Sequence, residues 1–124
     1  MQMERRQSPR VEVSVPVEIL LSDGELLSIP SIDISYTGVS FNCNYWTVKR
    51  LFPEAHWSGP KDQVTFDLSV ELSDDLLLAS ESVVTRFLRL SENEYHIGVQ
   101  FLNIDDETQR SLVSYVNHHL ESKK

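Results

Sequence analysis

The chain predicts a mainly β fold: a six-stranded antiparallel β-barrel with a C-terminal amphipathic α-helix packed on it. Three observations carry this expectation. Apolar and polar residues alternate in successive stretches from Val11 to about Ile104. Short clusters of Ser, Asp, Asn and Gly separate those stretches, and only the segment from Asp105 onward changes to a helical period.

Taken in order, residues 1–10 are polar and basic without periodicity, a flexible N-terminal arm. Val11, Val13, Val15, Val17 and Ile19 alternate with Glu12, Ser14, Pro16 and Glu18, the pattern of one half-buried strand. Pro16 falls on the polar face, which predicts an edge or a bulge there. Ser22-Asp23-Gly24-Glu25 is a hairpin turn, and Leu26 to Ile34 reads as the returning strand, interrupted at Pro30. Asp33 to Gly38 breaks the chain before Val39, Phe41 and Cys43 resume the alternation. Residues 44–62 read as a long connection with one helical turn around Trp46 to Phe52, and core packing is expected for Trp46 and Trp57.

Val64, Phe66, Leu68, Val70 and Leu72 mark the next strand, ended by Ser73-Asp74-Asp75. A long strand from about Leu76 to Leu90, a turn at Ser91 to Glu94 and a last strand from Tyr95 to Ile104 complete the barrel, residues 11–104. Leu112, Val113, Val116 and Leu120 share one face of a helix over residues 105–122. Asp105, Asp106 and Glu107 suit its positive N-terminal end, and Lys123 and Lys124 suit the other.

Composition narrows the function classes. With 124 residues, 40% of them hydrophobic and 24% charged, the chain is expected to form one soluble domain. A formal net charge of −8 argues against nucleic acid and against an anionic membrane surface as partner, since both require basic surface. No apolar run is long enough to insert in a membrane. The single cysteine, Cys43, excludes an internal disulfide framework, and a cytoplasmic location is the simplest expectation. Its alternation with Phe41 and Val39 predicts a buried structural thiol rather than a nucleophile. His56, His96, His118 and His119 lack metal-ligand spacing with one another or with Cys43. No pattern supports catalysis, so neither a metal nor another cofactor is expected, and the chain is expected not to be an enzyme.

Two clusters do carry chemistry. Arg5-Arg6-Gln7-Ser8-Pro9-Arg10 places three guanidinium groups within six residues of an acidic chain. Such a cluster in a tail is ordinarily solvated charge, yet guanidinium binds phosphate bidentately and its fork matches the O6 and N7 acceptors of guanine. Arg10 directly precedes the first strand, and Pro9 holds Ser8 toward extended geometry. Asp33-Ile34-Ser35-Tyr36-Thr37-Gly38 is ordinary turn chemistry when taken alone. Beside the arginines it offers a carboxylate for the donor edge of guanine and a hydroxyl for phosphate.

Arg6-x-x-x-Arg10 and Asp33-x-Ser35-x-x-Gly38 resemble the two halves of the signature of the PilZ domain, a bacterial receptor for cyclic di-GMP. Ile97-Gly98-Val99-Gln100-Phe101 is similar to a segment of the last PilZ barrel strand. The resemblance runs from Glu4 to the C-terminal region. It implies a PilZ-type barrel and a non-enzymatic second-messenger receptor whose arginine arm closes over cyclic di-GMP. Arg6 and Arg10 would grip guanine edges and phosphates, Asp33 a Watson–Crick edge, and Ser35 a phosphate or base, while Gly38 would permit close backbone approach. In this family an arginine at the place of Arg5 goes with two intercalated ligand molecules per chain. Some members stack an aromatic residue from a barrel strand on a guanine; here Arg86 or Phe87 occupies that region. Signalling would pass to an unidentified effector protein in trans, in motility, pilus or exopolysaccharide control. The competing expectation is a PilZ-like protein-interaction adaptor that binds no nucleotide.

Overall fold

The computed structural model describes residues 9–53 and 63–122. Its strands are β1 (Arg10–Glu12), β2 (Pro16–Leu20), β3 (Leu26–Ser35), β4 (Gly38–Cys43), β5 (Thr65–Ser73), β6 (Leu76–Ser91) and β7 (Glu94–Leu102). Helix α1 (Tyr45–Leu51) follows β4, and α2 (Asp106–Ser122) follows β7. All strand pairs are antiparallel in the order β1-β3-β2-β5-β6-β7-β4, and β3 also pairs with β4. That extra pairing closes a six-stranded barrel as expected, with β1 lying beside β3 as a continuation of β2.

The first strand departs from the single run that its alternation predicts. It breaks at Val13–Val15, and a buried side chain from the opposite strand fills the gap. The Ser31 hydroxyl donates to the Val13 carbonyl at 2.5 Å and accepts from the Val15 amide at 3.0 Å, while the Ser31 amide donates to the Val15 carbonyl at 2.9 Å. The Val13 carbonyl and both backbone groups of Val15 are thus satisfied across the break without water. Pro16 and Pro30 stand opposite each other in the β2–β3 register. Pairing of β2 with β5 begins only at Val17, and of β3 with β4 only at Ser31, so neither missing N–H interrupts a ladder.

Inward alternation builds the core from Val17, Ile19, Ile29, Phe41, Val70, Leu78, Val84 and Ile97, all buried. Two β-bulges change which residues point inward. Along β3, Ile29 and Ser31 are buried, the register shifts between Ser31 and Asp33, and Ile34 becomes the next fully buried residue. Along β6, Ser82 and Val84 are buried, the register shifts between Val84 and Arg86, and Phe87 is the next to turn inward. Each extra residue reverses the side-chain phase downstream of it. The outward direction of Asp33 and Arg86 follows from these two shifts.

The connection after β4 contains a two-turn helix rather than a single turn. Asn44 caps it, its side chain accepting from the Thr47 amide at 2.9 Å. Trp46 on this helix is 71% exposed, against the expectation of core packing, because the inward face is taken by Leu51. Trp57 lies outside the described residues. Asn103, with φ 57°, ends β7 two residues before the expected Ile104. Asp105 then caps α2 by accepting from the Thr108 amide at 2.7 Å, which holds its carboxyl below the usual range. Leu112 and Val116 are fully buried, with Val113 and Leu120 at the margins of the same face. No helix among the described residues is long and apolar enough to cross a membrane.

Candidate functional site

The site forms on the outer face of the sheet where β1, β3, β4, β7 and β6 run side by side. Register places Glu12 opposite Asp33, Asp33 opposite Ser40, Ser40 opposite Gly98, and Gly98 opposite Arg86. Arg10, two residues before Glu12, projects on the same face. Its Nη1 donates to Asp33 Oδ1 at 2.9 Å, and Ser40 Oγ donates to the same oxygen at 2.8 Å. The other carboxylate oxygen, Oδ2, has no hydrogen-bond partner among the described residues and can accept from an external donor. Asp33 therefore presents a fixed acceptor rather than a freely rotating one.

Ser35 and Gly38 have a different setting. The Ser35 side chain is buried, and its Oγ accepts from the amides of Thr37 at 3.2 Å and Gly38 at 3.1 Å. Its own proton has Thr37 Oγ1 at 3.4 Å and the Gly38 carbonyl at 3.5 Å within reach. This hydroxyl closes the Tyr36–Thr37 turn between β3 and β4, in place of the longer break expected from Asp33 onward. A Cβ on Gly38 would lie 2.1 Å from the Val99 carbonyl oxygen, so glycine is required for the approach of β4 to β7. The turn is also tied to α2: Gln109 Nε2 donates to the Tyr36 carbonyl at 3.0 Å, and Tyr36 Oη donates to Asn117 Oδ1.

Beside Asp33 and Arg10 lies a pocket of about 170 Å³ lined by Arg10, Ser40, Thr85, Arg86, His96 and Gly98. Gly98 forms its floor, because no side chain rises between Arg86 and Ser40. The volume is below the few hundred Å³ of a site that encloses a drug-sized ligand, and it suits a phosphate or the edge of a base. Two arginines converge on it, a strong arrangement for an anion. A larger cavity of about 540 Å³ sits elsewhere, among Leu21, Phe52, Val64 and Phe66, and none of the predicted site residues lines it.

Sequence reasoning left Arg86 and Phe87 as alternatives. Phe87 packs inside, with its ring 5.5 Å from that of Phe52 and 5.7 Å from that of Tyr95, whereas Arg86 borders the pocket. Ser40 and His96 were not anticipated. Alternation from Gly38 and from Gly98 places both on the outer face, but neither residue type distinguishes itself without knowledge of which strands meet. Arg5 and Arg6 lie outside the described residues.

A family model described as PilZ domain matches residues 4–118. No curated protein sequence matches the chain. Among solved structures, the Bacillus subtilis inhibitor of motility (MotI/DgrA) is similar at 17% identity and TM-score 0.73, covering 98% of this chain and 54% of that one. The PilZ domain of Escherichia coli YcgR, solved with c-di-GMP, matches at 13% identity and TM-score 0.69, with 97% and 95% covered. The K. pneumonia MrkH–c-di-GMP complex matches at 22% identity and TM-score 0.72, with 98% and 55% covered. This chain thus spans about half the length of the MotI and MrkH chains and nearly all of the isolated YcgR domain. With the family model spanning nearly the whole chain and the six-stranded barrel closed as expected, the protein belongs to the PilZ domain family.

Proposed function

We propose that this protein is a non-enzymatic cyclic di-GMP receptor whose N-terminal arm closes over the ligand and so alters the surface offered to an effector protein in trans. The observation that carries this reading is the meeting of Arg10, from the arginine motif, with Asp33, from the second motif, across 23 residues of sequence. Two of the similar structures were solved with c-di-GMP, which supports the same ligand here.

In this reading Asp33 Oδ2 accepts from the N1 and N2 donors of a guanine. Arg10 and Arg86 hold the phosphate or the Hoogsteen edge at the Gly98 floor. Arg6 and Arg5 join from the arm, with Arg5 bringing a second, intercalated cyclic di-GMP. Ser35 and Gly38 serve chiefly by shaping the turn that sets Asp33 beside Ser40. Hydrogen bonds to charged groups contribute about 1.5–3 kcal/mol each, so four or five suffice for micromolar affinity after the ordering of the arm is subtracted. Ordering of the arm is then the switch that a partner reads.

Calorimetric titration of the purified chain with cyclic di-GMP tests the proposal. Saturable binding with two ligands per chain supports it in full. Saturation at one ligand removes the intercalated pair, and absence of binding removes the receptor.

A further inference from the structure

His96 stands at the Gly98 pocket with a ring nitrogen to spare. Asn42 Nδ2 donates to Glu94 Oε2 at 3.3 Å, which turns Asn42 Oδ1 toward His96 Nδ1, 2.7 Å away. An acceptor at that distance requires the proton on Nδ1. Nε2 has no hydrogen-bond partner among the described residues, and His96 lines the pocket together with Arg10 and Arg86. Neutral His96 therefore offers the pocket an acceptor, and only the imidazolium offers it a donor.

Resting on the receptor reading above, we propose that His96 is a proton-linked arm of the nucleotide site. Once protonated, Nε2–H donates to the phosphate held between Arg10 and Arg86, so cyclic di-GMP binding takes up a proton. The groups around the ring define the direction. Arg86 and Leu88 approach from β6, Asn42 from β4, Asp33 from β3 and Arg10 from β1, with Glu94 reached through Asn42 on β7 itself. In the free protein partial burial lowers the His96 pKa, Asp33 opposes that, and Arg86 and Arg10 add to it. A bound phosphate adds negative charge that offsets the two arginines, and so raises the pKa. Between the bound and free values the complex holds more protons than the free protein, so affinity rises as pH falls. The nucleotide keeps the same charge between pH 8 and 5.5, so the protein must supply the dependence.

The test is calorimetric titration with cyclic di-GMP at pH 8 and pH 5.5, in two buffers of different ionisation enthalpy. Wild type is expected to bind at least about fivefold tighter at the lower pH, with net proton uptake, and His96→Gln to lose both effects. An independent reading is the His96 imidazole titration by NMR, expected to shift upward when ligand is added. Saturable binding with no pH slope, or a slope retained in His96→Gln, overturns this inference and leaves the receptor standing. Absence of binding at both pH values overturns both.

Discussion

Arg10 and Asp33, 23 positions apart in the chain, share a 2.9 Å ion pair on the outer face of the barrel. Ser40 holds the same carboxylate oxygen, so the carboxylate is oriented before any ligand arrives. The arginine is 42% exposed, and ion pairs in such settings contribute only about 0–1 kcal/mol. The pair thus positions Asp33 at little energetic cost to exchange. Replacing Arg10 with Ala is expected to lower cyclic di-GMP affinity at least about tenfold while changing unfolding free energy by less than about 1 kcal/mol. Parallel calorimetry and urea unfolding measure the two effects.

The glycines of the site separate folding from binding. Gly38→Ala forces a methyl group to within 2.1 Å of the Val99 carbonyl oxygen, and backbone must move to relieve it. Overpacking of this kind costs about 1–3 kcal/mol or more, so the variant should melt well below wild type. A Cβ on Gly98 meets only the Arg86 Cβ, at 3.4 Å. Gly98→Ala should fold normally yet bind ligand more weakly, because it raises the pocket floor. Thermal melts are expected to show a lowered midpoint for Gly38→Ala alone, and titration to show weakened binding by a Gly98→Ala protein of normal stability.

Ser31 is the peg that joins β1 to β2. Ser31→Ala leaves the Val15 amide and Val13 carbonyl without their side-chain partner. Stranding part-buried backbone groups costs about 1–3 kcal/mol, to be read from the shift in urea midpoint at unchanged slope. Amide hydrogen exchange should quicken first around Val13 and Val15.

Burial pushes the Cys43 thiol up to about 11. That rise leaves roughly a hundredfold fewer thiolates at pH 8 than an unburied cysteine would have. Native protein should react with a disulfide reagent far more slowly than urea-unfolded protein, and equal rates would place the thiol in solvent.

Much of the fold was legible because most strands here are half-buried, so alternation declares them. The helix α2 was legible for the same reason at another period, with its start marked by the acidic cap at Asp105. What periodicity cannot register is a one-residue insertion in the ladder. Continued alternation from Ile29 and Ser31 would send Asp33 into the core, and continued alternation from Val84 would do the same to Arg86. The bulges that prevent this depend on partner strands, and so the choice between Arg86 and Phe87 stayed open until β6 was set against β7. The split of the first strand was hidden similarly, since the Ser31 hydroxyl that fills the gap belongs to another strand. His96 and Asn42 meet across 54 residues, a distance at which one sequence carries no pairing signal. Residue type suggests core packing for the tryptophans of the 44–62 connection, yet Trp46 lies on the exposed side of α1.

The most direct test compares cyclic di-GMP binding by wild type and Asp33→Ala, with a thermal melt of each. The expected result is saturable binding by wild type, an affinity at least about tenfold lower in the variant, and cooperative unfolding in both. Undiminished affinity in a folded Asp33→Ala protein would contradict a site built around this carboxylate.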